Sequence, residues 1–133
     1  MKTRPMLTLE DCRRISTAAE AEAKKNNWNV CIAILDDGGH LLHLVRMDGA
    51  SPANARIAME KGRTAAESRR SSAVWEERIK AGRNSMLGMP GITPVQGGLP
   101  IIVEGICVGG VGVSGVQSHE DEQIAAAGIK VLG

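Results

Sequence analysis

The chain contains no phenylalanine and no tyrosine, and only two tryptophans, Trp28 and Trp75. It therefore lacks the aromatic platforms on which successive bases stack, which disfavours a single-stranded nucleic-acid binder. An excess of charge of one sign is also missing: 16 basic against 15 acidic residues leave a formal net charge of +1. That balance gives no basic footprint for nucleic acid and no polybasic patch for a membrane surface. No apolar run approaches the roughly 20 residues of a spanning helix. The basic start at Met1–Arg4 turns acidic at Glu10-Asp11, unlike a signal peptide, so a cytoplasmic protein is expected. Cys12, Cys31 and Cys107 are odd in number and show no CxxC spacing. Each lies in an apolar segment, which predicts buried free thiols in a reducing compartment. GxGxxG, Walker and GxSxG motifs are absent, and Gly112-Val113-Ser114-Gly115 does not complete the last of these.

What remains is a chain of 133 residues, enough to bury a sizeable core of Val, Ile, Leu, Met and Ala. Thr8 is placed to cap a helix, with Glu10 and Asp11 favourable in its first turn. Leu9, Cys12, Ile15, Ala19 and Ala23 form its apolar stripe, and Asn26-Asn27 ends it. The apolar run Val30–Leu35, the turn Asp36-Asp37-Gly38-Gly39 and the segment His40–Met47 predict a hairpin. Ser51-Pro52 reads as a cap followed by the first helical position, with a helix to about Arg70 and a shorter one over Ser71–Lys80. Ala81–Gly98 is long, irregular and rich in Gly, Pro and Met, as functional or mobile loops are. Pro100–Val103, the Glu104-Gly105 turn and Ile106–Ser114 predict a second hairpin, and Ser118–Leu132 the last helix. A short strand near Ile92–Val95 would complete the sheet. The expected fold is a layered α+β domain over residues 1–133, with an antiparallel sheet of about five strands flanked by helices.

The glycine-rich strand is the most telling segment. Alternation puts Gly110, Gly112 and Ser114 on one face, which predicts close approach of another group, either a covering helix or a small ligand. Arg46 ends a strand and Asp48 follows in the turn before a helix. An arginine there can grip a carboxylate or phosphate, or simply pair with Asp48. Ser118–Asp121 opens the last helix, where Glu120 and Asp121 either satisfy the helix end or, with His119, face a pocket as acid, base or metal ligand. Ser118 and Asp121 match a variant capping box. His40 and His43 point to opposite faces of a strand and cannot share a metal, so no metal site is expected. Met86 and Met89 read as soft ligands or as flexible packing for a mobile lid. Lys61 serves as a base or anion grip near the sheet, or snorkels to solvent.

Taken in order, Asp37-Gly38-Gly39-His40-Leu41, Arg46-Met47-Asp48-Gly49-Ala50 and Ala58-Met59-Glu60-Lys61 with Thr64-Ala65 resemble the haem-binding GlcG/HbpS-like family. Gly97-Gly98-Leu99-Pro100-Ile101, Val111-Gly112-Val113-Ser114-Gly115, Asp121-Glu122 and Ala126-Ala127-Gly128 continue the likeness, which spans about Leu7 to Gly133. A related domain forms the C-terminal part of PduO-type corrinoid adenosyltransferases. The resemblance implies a profilin-like arrangement, a homo-oligomer and a small-molecule ligand, with haem as the cofactor that some members bind or degrade.

Three functions follow. The first is a small-ligand protein binding or degrading haem. The second is a cofactor-independent lyase or isomerase acting on a small anionic catabolic metabolite, aromatic ones included. For it, Arg46 or Lys61 holds the carboxylate, Gly97, Gly98 and Ser114 line the pocket, and Asp48, His119, Glu120 or Asp121 moves a proton. The third is a non-catalytic accessory subunit whose glycine face only seats a helix.

Overall fold

The computed structural model describes residues 1–133. Helix α1 covers Leu9–Lys25 and opens on the expected cap: Thr8 Oγ1 accepts from the Asp11 N–H, and the Asp11 carboxylate accepts from the Thr8 N–H. Strands β1 (Cys31–Asp36) and β2 (Leu41–Arg46) form the first hairpin. Helices α2 (Ala53–Ser68) and α3 (Ala73–Lys80) follow, then a 3-10 turn over Asn84–Gly88. Strands β3 (Gly98–Val103) and β4 (Ile106–Ser114) form the second hairpin, and helix α4 (Ser118–Ile129) ends in a 3-10 turn over Lys130–Leu132.

The sheet is antiparallel throughout, in the order β2-β1-β4-β3. Its two faces differ in bulk because strand alternation sorts their residues. Ile32, Ile34, Val111 and Val113 point to one face and pack with Cys12, Ile15 and Ala19 of α1 and Ile124 and Ala125 of α4. Cys31, Ala33 and Leu35 point to the other and meet Ala58 and Ala66 of α2.

The glycine strand answers its own question, because the group that approaches it is α2. A Cβ at Gly112 would overlap the Ala58 carbonyl and the Gly62 N–H, and one at Gly110 would overlap the Gly62 carbonyl. Gly62 in turn faces Leu35 and the Gly112 backbone. Helix and strand backbones thus touch at a distance that only glycine permits.

Four expectations are corrected. The sheet has four strands, not about five. The segment near Ile92–Val95 is irregular because side chains satisfy its backbone groups. Thr64 Oγ1 accepts from the Thr93 N–H at 2.8 Å, Ser72 Oγ donates to the Val95 carbonyl at 2.6 Å, and Glu76 accepts from the Gln96 N–H at 3.1 Å. Helix α2 begins without a side-chain cap, Pro52 already having helical dihedrals, and it stops at Ser68 because Arg69 turns left-handed at φ 61°. Finally, α4 is capped one residue earlier than Ser118. The Glu120 carboxylate accepts from the Gln117 N–H, which leaves the Asp121 carboxylate for another partner.

Candidate functional site

Several residues singled out in the sequence gather at one end of the sheet. Strand β2 finishes there at Arg46, β1 begins at Cys31 and β4 finishes at Ser114. The register places Arg46 and Ser114 on either side of Cys31. Cross-strand partners share a face, so all three belong to the α2 side. Ser114 is buried, and its Oγ donates to Asn54 Oδ1 in the first turn of α2 at 2.8 Å. Burial pushes the Cys31 thiol up, and the Arg46 guanidinium nearby pulls it back. Arg46 is exposed and makes no ion pair or side-chain hydrogen bond, so the alternative pairing with Asp48 does not form. Asp48 is exposed and unpaired as well.

The surrounding loops converge on Asn29. A Cβ at Gly49 would lie 2.9 Å from its side-chain amide, and one at Gly115 2.8 Å from its carbonyl oxygen. The turn before α2 and the turn before α4 therefore adjoin. His119 stands exposed at the start of α4. The Glu120 carboxylate is turned back to the Gln117 N–H at 3.1 Å.

Lys61 and Asp121 form a second, buried set beside the first. Lys61 does not snorkel. It lies on α2, and its ammonium donates to the Val113 carbonyl at 3.1 Å and to Asp121 Oδ2 at 3.0 Å. Asp121 Oδ1 accepts from the Val116 N–H at 3.1 Å. Burial pushes the Asp121 carboxyl above the ordinary carboxylate range, and the Lys61 ammonium opposes that shift. The Lys61 side chain passes beside Gly97, whose φ is +133°, and a Cβ there would lie 2.9 Å from Lys61 Nζ. At Gly98 a Cβ would overlap the Lys61 carbonyl. Space at both glycines is thus taken by Lys61.

The pair sits in a wider polar layer that sequence reading did not single out. Glu122 accepts from Ser71 Oγ at 3.0 Å and from Gln96 Nε2 at 3.2 Å. The Gly98 N–H donates to Ser72 Oγ at 2.9 Å. Asn54 is the other omission, and its amide in the first helical turn was the available signal. A cleft of about 600 Å³ lies elsewhere, at the opposite end of β3 against the last turns of α4, and holds none of the expected site residues. No group of three or more His, Cys, Asp or Glu side chains is arranged to hold a metal. No helix is long and apolar enough to cross a membrane.

Chemically, the sheet end offers an unpaired guanidinium and a hydroxyl–amide pair, with an exposed carboxylate in the following turn. That set suits an anionic group and proton exchange at the surface.

The chain is similar to several known proteins. A family model described as "Haem degrading protein HbpS-like" matches residues 7–130. Protein GlcG of Escherichia coli strain K12 is 46% identical over 114 residues, which are 86% of this chain and 85% of that protein. A crystal structure of a double mutant of Streptomyces reticuli HbpS superposes with a TM-score of 0.92 at 33% identity, covering 100% of this chain and 91% of that one. A PduOC:haem complex superposes at 0.86 with 23% identity, over 95% of this chain and 94% of the other, a likeness of fold. With this architecture and these matches, the chain belongs to the HbpS-like family.

Proposed function

We propose that this protein binds a small anionic ligand at the sheet end formed by Arg46, Ser114 and Asn54, and that haem is the ligand class. The observation that carries the reading is the unpaired Arg46 guanidinium in one cross-strand row with buried Ser114. In this reading Arg46 grips a carboxylate, such as a haem propionate, through two parallel hydrogen bonds. Ser114 and Asn54 form the wall, and the Lys61–Asp121 pair with Gly97 and Gly98 holds that wall in place. The family description supports haem, as does the relationship to HbpS at 33% identity over the full chain.

The residues of one chain fit the carboxylates of haem better than its iron. The His40 side chain is 80% exposed beside Asp36, His43 is half-buried on the edge strand, and His119 is exposed. None stands over an enclosed apolar slot, and the cleft of about 600 Å³ contains no His, Cys or Met. A second copy of the chain is the natural source of the missing wall, in keeping with a homo-oligomer. Hemin titration is the test. A saturable Soret shift, weakened about tenfold or more in Arg46→Ala, supports the reading. No saturable shift removes haem, and an affinity unaltered in Arg46→Ala removes the anion grip.

A second reading is a lyase or isomerase for a small anionic metabolite. It is favoured by the exposed, unpaired Asp48 before α2 and the exposed His119 in the first turn of α4. Glu120 and Asp121 are committed to the Gln117 N–H and to Lys61, which leaves Asp48 and His119 to move the proton. Ligand binding without turnover in any variant, and no solvent-deuterium exchange into a bound carboxylate, would leave the protein as a binder or accessory subunit.

A further inference from the structure

A separate cleft of about 350 Å³ lies at the junction of α2, α3 and the long loop, away from the Arg46 end. Its floor is Trp75, which is 7% exposed, and its outer wall is Met89, Pro90 and Ile92. Two cations line it, Arg70 and Arg78, and neither makes an ion pair. The Arg78 guanidinium stands over the Trp75 ring, 5.0 Å from its centroid. One carboxylate also lines the cleft, Glu67, which lies 3.7 Å from Arg63. The lining is therefore net cationic, with a buried indole at its floor and an apolar wall.

The site is held in shape. Trp75 Nε1 donates to Ser68 Oγ at 3.3 Å, and Ser68 Oγ donates to the Thr64 carbonyl at 2.6 Å, which fixes the ring against α2. Thr64 Oγ1 accepts from the Thr93 N–H at 2.8 Å and donates to the Gly91 carbonyl at 3.4 Å, which ties the loop wall to the same helix. Arg70 follows the left-handed turn at Arg69, whose own guanidinium is held by the Asp37 and Ala66 carbonyls. An anchored ring, an anchored loop and two unpaired guanidiniums are what a planar anion needs.

We propose that this cleft is a second ligand site, selective for a small aryl carboxylate. The aryl ring packs on the Met89–Ile92 wall above the Trp75 floor, and the carboxylate faces Arg70 and Arg78. The site does not depend on the reading of the Arg46 end.

Trp75 supplies the readout, because Trp28 is the only other tryptophan and is partly buried against the core on the opposite side of the sheet. In a Trp28→Phe background, benzoate should change Trp75 fluorescence saturably, and inorganic phosphate at the same concentration should not. Arg70→Ala with Arg78→Ala should weaken the benzoate response at least tenfold while the circular dichroism stays that of the parent. Calorimetric titration of the wild-type chain and the double arginine variant repeats the comparison should Trp28→Phe fail to fold. No saturable benzoate response, an equal response to phosphate, or one that survives loss of both arginines would overturn the proposal.

Discussion

Lys61 Nζ lies 3.0 Å from Asp121 Oδ2, with side-chain exposures of 3% and 2%. The pair joins α2, on one face of the sheet, to α4, on the other, around the end of β4. Both ions are desolvated, so the pair is held by its geometry and by the Val113 carbonyl and Val116 N–H that complete it.

Removing one partner should therefore cost more than removing both. Lys61→Met or Asp121→Leu alone leaves an unpaired buried charge and should cost about 3–5 kcal/mol. The double variant should lose less than either single variant. Urea denaturation of the four proteins forms the cycle, and strict additivity would contradict the coupling.

Gly112→Ala should break the contact between α2 and the sheet. The new methyl group would overlap the Ala58 carbonyl, which belongs to helix backbone and cannot swing away. A loss of at least about 3 kcal/mol is expected. Gly88→Ala is the control, with nothing within 4 Å of its Cβ and no positive φ. Thermal melts should separate the two variants widely, and a Gly112→Ala protein as stable as wild type would refute the close packing.

Acid should loosen the long loop through Glu76. Lys80 lowers the Glu76 carboxyl first, and the Gln96 N–H adds to it. A carboxyl whose folded pKa lies below its unfolded value contributes stability that is present above the unfolded value. That stability is lost as pH falls through the folded value. Wild type should thus lose stability relative to Glu76→Gln as pH falls below the ordinary glutamate value of about 4.3, with the difference growing as the folded carboxyl becomes protonated. Urea midpoints across that range test the sign.

Arg46→Ala should change ligand binding and leave the fold alone. Arg46 is exposed and unpaired, so its loss should alter stability by no more than about 0.5 kcal/mol. Ser114→Ala removes the buried bond to Asn54 and should cost about 1 kcal/mol. Chemical denaturation distinguishes the two, and a large destabilisation by Arg46→Ala would mean that the side chain has a structural partner.

Much of the fold was legible because its signals are local. The Thr8 cap, the stripe of α1, the turns at Asp36–Gly39 and Glu104-Gly105, and both hairpins all rest on residues within a few positions of one another. The fifth strand was misread for a related reason. Ile92–Val95 has strand-like composition, but Thr64, Ser72 and Glu76, all distant in sequence, take its backbone hydrogen bonds. The cap of α4 was misplaced because Ser118 with Asp121 and Gln117 with Glu120 are nearly equivalent locally. The choice fell to Lys61, which claims Asp121.

Residue order alone dictates that the face carrying Gly110, Gly112 and Ser114 is approached closely, since strand alternation and the missing side chains need no long-range information. The identity of the approaching group emerges only when the chain folds. Helix α2 fills that face along Gly110 and Gly112, Ser114 bonds to Asn54, and Lys61 runs past Gly97 to a carboxylate 60 positions away. Pairings at such separation depend on how the helices dock, and docking is set by the shape of the whole buried surface and not by any local spacing.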